Sequence, residues 1–264
     1  MKLVKLVNIG CGAVFHSDWI NLDVEPVSSE VRRLDARRPL PFADGSVDAV
    51  YHSHVLEHLS AAEAAGFLAE CWRVLRPGGA VRVVVPDLEG IAKAYLCALA
   101  EGNMILSEWT RLELTDQLAR NHSGGEMKLF LAGLDERGLA VVRTRAGGEV
   151  DHVLAQMGGK RRIEVWRVWR RLRREALSLM AYVLGGRNWR GAVDEGLFRA
   201  SGEVHRVMYD RQKLADLLCS CGFERPEVMT AERSRIDGFA GYGFDAVGGV
   251  TRKPDSLFME ATKG

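Results

Sequence analysis

The strongest constraint on the fold is Leu6–Gly12, L-V-N-I-G-C-G, near the start of the chain. An apolar run from Leu3 to Val7 ends in Asn8-Ile9-Gly10-Cys11-Gly12, which reads as a buried strand breaking into a glycine-rich turn. Two glycines one residue apart let the backbone turn tightly and come close to a ligand that a Cβ would hold off. Such turns occur in several nucleotide-type sites and also in loops that bind nothing, so the rest of the chain must discriminate between these uses.

Further strand-like runs follow at short intervals: Trp19–Asp23, Val31–Asp35, Val47–His52 and Ala80–Val85, the first two each ending on an acid. Between the last two, Ala61–Leu75 carries apolar residues at helical spacing and stops at Pro77-Gly78-Gly79. Leu88–Ala100 reads as another helix, Arg211–Cys221 as a later one, and Phe223–Thr230 and Ser256–Thr262 as the last two strands. Strands alternating with crossovers predict an α/β, doubly wound parallel sheet. Ligands of such sheets sit at the carboxyl ends of the strands. That edge is where Gly10–Gly12, Asp23, Asp35, Ser53-His54 and Asp87 are all expected. After Gly102 the pattern changes to helix and loop. The predicted division is a core of residues 1–102 and 205–264 with a mainly helical insertion, 103–204, as an acceptor-binding cap.

Composition narrows the function classes. A net charge of +1 over 264 residues gives no global field toward nucleic acid. The five cysteines lack a metal-site spacing, Cys219-x-Cys221 being too short, which reads as reduced thiols in a cytoplasmic protein. No signal peptide is expected from M-K-L-V-K-L-V-N, and no apolar run approaches the ~20 residues that span a bilayer.

In a nucleotide site, an acid at the position of Asp23 accepts hydrogen bonds from both ribose hydroxyls; otherwise it caps a turn. Asp35 is placed to reach an adenine amino group, or to pair with Arg37 or Arg38. The segments V-N-I-G-C-G, W-I-N-L-D, L-D-A-R-R-P-L-P-F-A-D-G-S-V-D-A-V-Y-H-S-H-V-L-E-H-L and R-V-L-R-P-G-G-A-V-R-V-V-V-P-D-L resemble a class I S-adenosylmethionine (SAM)-dependent methyltransferase. They are closest to the methyltransferase type 11 group, and more narrowly to a bacterial subgroup associated with surface-polysaccharide genes. The resemblance implies a seven-stranded Rossmann-like sheet whose last strand is antiparallel, with SAM as methyl donor and S-adenosylhomocysteine as product. It places Asn8, Gly10, Cys11 and Gly12 on the methionine side of SAM, Asp23 on the ribose, Asp35 and Ala36 on the adenine, and Ser53 and His54 over the sulfur. The sequence departs from the family after Gly12. Ala13-Val14 follow instead of a third glycine, and only ten residues separate Gly12 from Asp23, room for a loop or one helical turn.

Histidine near neutral pH suits deprotonation of a hydroxyl acceptor, which makes His54 the candidate general base; the alternative is a histidine that orders the loop over SAM. A metal shared by His52, His54 and His58 is not expected, because strand-then-helix geometry scatters them, although some sugar methyltransferases use magnesium. In the insertion, Glu113, Asp116, His122 and Glu126 are candidate acceptor contacts, and later in the chain so are His205 and Tyr209. Lys160–Arg174 interleaves arginines with Trp166 and Trp169, while Val165, Val168, Leu172, Ala176, Leu179 and Val183 fit one apolar helix face. A packed stripe under a solvated face, an anionic membrane surface, an acidic glycan and, less favoured at this net charge, nucleic acid compete for that segment. The tail 235–254 is either a lid or a connecting loop. The sequence therefore points to O-methylation of a saccharide or glycoconjugate hydroxyl. The alternatives are a small-molecule or natural-product methyltransferase, and a non-catalytic SAM-binding subunit.

Overall fold

The computed structural model describes residues 4–158 and 165–264. The chain begins with β1 (Leu6–Ile9), β2 (Ile20–Asp23), β3 (Val31–Arg33) and β4 (Val47–Ser53), then α1 (Ala61–Val74), β5 (Leu75–Pro86) and α2 (Leu88–Ala100). Helices α3 (Met104–Ala119), α4 (Gly125–Ala132), α5 (Glu136–Ala146), α6 (Glu149–Gly158) and α7 (Val165–Arg199) follow without an intervening strand. The chain closes with α8 (Arg211–Ser220), β6 (Phe223–Met229), the two-residue strands β7 (Ala246–Val247) and β8 (Val250–Thr251), and β9 (Ser256–Lys263). Seven strands form one sheet in the order β3-β2-β1-β4-β5-β9-β6, with β9 antiparallel to both neighbours and β1–β5 parallel. The doubly wound sheet with a reversed last strand is therefore present.

Strand periodicity decides what lies on each face. Val7 and Ile9, Val50 and His52, Val81, Val83 and Val85, and Leu257 and Met259 point one way, where α1 and α8 cover them through Phe67, Leu68, Leu214 and Leu218. Helix α1 starts cleanly because Ser60 Oγ accepts from the Glu63 amide while a Glu63 carboxylate oxygen accepts from the Ser60 amide. On the other face, Tyr51, Val84 and Phe258 meet a different cover. The β1–β2 connection contains no helix, and the loop after β6 supplies Ile236, Phe239 and Phe244 in its place. Arg82, fully buried in β5, ties this loop down. Its guanidinium donates to Asp245 (2.7 Å), Glu260 (2.7 Å) and the carbonyls of Thr230 (2.8 Å) and Arg233 (3.0 Å), and lies 4.5 Å from the Phe239 ring. The tail is thus an aromatic cover for the sheet, continued by the β7–β8 hairpin.

Three expectations change. β3 ends at Arg33, so Asp35 sits in a turn closed by the Arg38 amide on its carbonyl. β5 begins at Leu75, because Leu75 pairs with Val47 and Pro77-Gly78-Gly79 is absorbed where the register shifts. In the basic segment, 159–164 lie outside the described residues. Further along, Leu172, Leu179 and Val183 are exposed instead of forming a packed stripe, while Ser178, Ala181 and Phe198 are buried among the described side chains. Helix α7 breaks at Gly186 (φ 71°), which folds its second arm back so that Arg190 and Asp194 reach Ser178. No described helix is long and apolar enough to cross a membrane.

Candidate active site

The glycine turn opens a cavity of ≈690 Å³ at the carboxyl ends of β1 and β4. Asn8, Gly10, Cys11, Gly12, Ser53 and His54 line one wall, and Phe244, Asp245 and the hairpin residues Val247 and Val250–Lys253 line another. Gly10 has φ 68°, and a Cβ there would lie 2.2 Å from Val55 Cγ2. Gly12, at φ 52°, has no atom within 4 Å of where a Cβ would stand. The first glycine is required by packing and the second keeps a space clear. Asn8 is buried, and its amide nitrogen donates to Val14 O (3.1 Å) and Asn21 Oδ1 (3.4 Å), while its Oδ1 has no partner. An unpartnered buried acceptor on a cavity wall suits a ligand amine. Burial pushes the Cys11 thiol up to about 11, so it is neutral rather than nucleophilic at pH 7.

The acids assigned to ribose and adenine stand apart from this wall. Asp23 closes back on the turn, its carboxylate accepting from the amides of Gly12 (2.8 Å) and Glu25 (2.8 Å). Asp35 is gripped side-on by Arg37 at 2.9 and 2.8 Å, which holds its carboxyl below the usual range. Neither acid nor Ala36 lines the cavity.

His54 occupies the boundary with a second cavity, ≈720 Å³, and lines both. Its backbone is left-handed (φ 55°), and its amide donates to Val84 O (2.9 Å). Nδ1 lies 3.1 Å from Glu57 Oε1 and Nε2 lies 2.9 Å from Ser256 Oγ. Glu57 is fully buried in a 3-10 turn, Leu56–His58. Burial alone would raise its carboxyl, but the facing imidazoles of His54, His58 and His205 hold it in the charged form. The histidines are therefore gathered rather than scattered, with the exception of His52. That ring packs on Phe67 in the core, where burial lowers it to about 4.

The second cavity takes His205 from the candidate acceptor contacts, together with Trp109, Gln117, Arg120, Lys128, Glu203 and Lys253. Asp116 is used elsewhere. Its carboxylate accepts from the Glu126 amide at the start of α4 (2.8 Å) and pairs with Arg120 (3.1 Å). His122 and Glu126 do not line the cavity, nor does Tyr209, a buried core residue whose carbonyl accepts from Leu88 N. Glu113 is buried against Trp109 and Arg145, and burial raises its carboxyl to about 7. Gln117 and Arg120 belong to the polar, glycine-broken stretch 116–127 that the sequence offered as an acceptor-pocket lining, whereas Lys253 carries no local sequence signal. They meet because the end of α3 and the β8–β9 loop converge on His54.

Strand order, a reversed last strand and a glycine turn after β1 make the seven-stranded Rossmann-like sheet that the resemblance to class I SAM-dependent methyltransferases implies. Residues 7–83 match the family described as a methyltransferase domain, and SAM is the cofactor that domain implies. The chain is 32% identical over 162 residues to a probable S-adenosylmethionine-dependent methyltransferase of Mycolicibacterium smegmatis, a match covering 55% of this chain. It is 35% identical over 93 residues, 35% of this chain, to an uncharacterized 37.1 kDa protein in transposon TN4556 of Streptomyces fradiae. The matches span 61% and 25% of those relatives' own lengths. Solved structures with a similar trace include a SAM-dependent methyltransferase, possible histamine N-methyltransferase, of Thermotoga maritima. It is 13% identical, with 98% of this chain and 82% of that one covered and a TM-score of 0.44. Another is a SAM-dependent methyltransferase of Archaeoglobus fulgidus, 11% identical, with 99% and 87% covered and a TM-score of 0.41. The residues present fit the methionine end of SAM: the cleared space over Gly12, the unpartnered Asn8 Oδ1, and the basic Arg252 and Lys253 opposite.

Proposed function

We propose that this protein transfers a methyl group from SAM to a hydroxyl of a saccharide or glycoconjugate, with the acceptor in the second cavity. The observation that carries the reading is His54, one imidazole shared by the walls of both cavities. SAM supplies an electrophilic methyl on a sulfonium. With SAM bound, the acceptor oxygen would form the new C–O bond as the S–C bond breaks, and the hydroxyl proton would go to His54 Nε2. Glu57, 3.1 Å from Nδ1, fixes the ring and stabilises the imidazolium. Ser256 Oγ, 2.9 Å from Nε2, holds that nitrogen in the structure and would yield it to the acceptor hydroxyl. Positioning the two substrates in line across His54 provides much of the remaining acceleration.

A saccharide is favoured by the lining, in which Gln117, Arg120, Ser123, Glu203 and Lys253 offer hydrogen bonds and Trp109 an apolar surface. Five free cysteines agree with a reducing, cytoplasmic setting. The test has two stages. Calorimetry with SAM and S-adenosylhomocysteine is expected to give one site of micromolar affinity. Transfer of labelled methyl to a panel of glycans and glycoconjugates should then exceed transfer to small-molecule phenols and amines. Cofactor binding with transfer only to the small molecules would overturn the saccharide assignment; no cofactor binding would overturn the activity.

A further inference from the structure

Beside His54, three further side chains converge with polar atoms that lack aligned hydrogen-bond partners among the described residues, Glu57 having only the His54 imidazole 3.1 Å away. Glu57 is completely buried, and neither carboxylate oxygen accepts a well-aligned hydrogen bond. Nδ1 of His58 and Nδ1 of His205 are likewise buried and unpartnered. One donor atom from each of Glu57, His58 and His205 lies within 4.8 Å of the other two. The backbone holds this grouping firmly. The amides of Arg206 (2.7 Å) and Val207 (3.3 Å) donate to the Glu57 carbonyl, and the His205 amide donates to Gln117 O (2.9 Å). The segment after α7 is thereby fastened to both the 3-10 turn and α3, and the His58 and His205 rings meet edge to face with centroids 4.7 Å apart.

Buried polar groups without aligned partners are costly, and a buried carboxylate more so. Three that converge on one point are balanced at once by a cation. The geometry points to a site for one divalent first-row transition-metal ion, held by Glu57, His58 and His205 and open toward the second cavity. Two imidazoles and a carboxylate suit zinc, manganese or iron(II) rather than magnesium or calcium, which favour all-oxygen shells. His54 stays in contact with Glu57, 3.1 Å from its Oε1, and supports that carboxylate. The site does not depend on methyl transfer. If the transfer reading holds as well, an acceptor hydroxyl at the open coordination position would lose its proton more readily.

The test is metal titration of chelator-treated full-length protein, with no turnover involved. Zn²⁺ and Mn²⁺ followed by calorimetry, and Co²⁺ followed by its visible d–d absorption, are expected to bind one per chain; Mg²⁺ should bind at least tenfold more weakly. His205→Ala and His58→Ala should each weaken binding beyond the ~10–100-fold typical of losing a supporting contact. Glu57→Gln should do the same, but it removes a buried charge from a turn and risks the fold. The histidine variants are therefore the deciding ones, with far-UV circular dichroism and S-adenosylhomocysteine affinity reporting an intact core. No stoichiometric binding, or binding that survives both histidine substitutions in folded protein, would overturn the inference. A metal-binding protein without methyl transfer would refute the proposed function and leave this site standing.

Discussion

Replacing Arg82 by methionine removes the tie between the sheet and the 230–246 loop. The guanidinium is fully buried, and it neutralises Asp245 and Glu260 while satisfying the Thr230 and Arg233 carbonyls. Methionine fills much of the volume but strands two buried carboxylates, one of which also accepts from Tyr51 Oη (2.6 Å). Removing one partner of a buried ion pair costs roughly 3–5 kcal/mol. For a chain of this size each kcal/mol moves Tm by ~2–4 °C, so a fall of about 6–20 °C is expected. Thermal unfolding by circular dichroism measures it, and limited proteolysis locates it, because cleavage should appear between residues 230 and 246 before elsewhere. Adding Asp245→Asn and Glu260→Gln to Arg82→Met should recover most of the loss, since the charges left behind are then gone. A fall below ~3 °C, or a triple variant no better than the single, would refute the reasoning that uncompensated charge carries the penalty.

The two glycines of the turn should behave differently. Gly10→Ala meets Val55 at 2.2 Å and should destabilise the fold by several kcal/mol, partly relieved by Val55→Ala, whereas Gly12→Ala meets nothing and should cost only the ~1–2 kcal/mol of its left-handed backbone. Calorimetry should nonetheless show weaker S-adenosylhomocysteine binding for Gly12→Ala, and unchanged affinity would remove that residue from the cofactor wall. Asp23→Ala should weaken SAM by ~10–100-fold, the worth of hydrogen bonds to a charged group, and an unchanged Kd would end the ribose assignment. His54→Ala should lower turnover ~10²–10⁴-fold, and a loss under tenfold would leave only loop support. Glu113 has its folded-state carboxyl raised to about 7, mainly by burial, so the folded chain keeps a proton that the unfolded chain has lost between roughly pH 4.5 and 7. Its contribution to stability therefore falls as pH rises through that window and levels off above it. Glu113→Gln should gain on the parent by on the order of 3 kcal/mol between pH 4.5 and 7.5 in paired thermal melts, and a constant difference would contradict the assignment.

Elements whose residues announce their own burial were legible. Leu88–Ala100 is helical over the predicted span, and β4 and β9 each end within one residue of expectation, whereas β5 starts five residues early. The edge strand β3 stops early because Asp35 turns to Arg37 instead of continuing the ladder. The sequence also pointed to Gly10–Gly12 and Ser53-His54 meeting at one edge, because both follow central strands. It did not show the partners that come from far along the chain. Asp116 looks like a free acid in a polar stretch, yet it anchors the start of α4 ten residues on. His205 reaches His58 only through the Glu57 carbonyl that holds its neighbours. Arg82, a lone charge inside A-V-R-V-V-V, was the visible sign of a buried ionic centre, but its two acids lie 163 and 178 residues away.

The missing helix after Gly12 and the aromatic loop after β6 are two halves of one arrangement. A sheet face left bare by a short β1–β2 connection needs another apolar cover, and Phe239 and Phe244 provide it against Trp19 and Tyr51. Because that cover ends in the β7–β8 hairpin, the cavity over the glycine turn is walled by the opposite end of the chain. His54 must then join β4 to a turn that brings Glu57 beneath it. Its amide continues the ladder to Val84 O, and the next residues reverse, which requires a left-handed residue at 54. Glycine or asparagine would adopt φ 55° more cheaply, and a histidine there costs on the order of 1–2 kcal/mol. The site in which an imidazole is held at that cost, between a buried carboxylate and a hydroxyl and facing two cavities, is where the chemistry of this fold is to be sought.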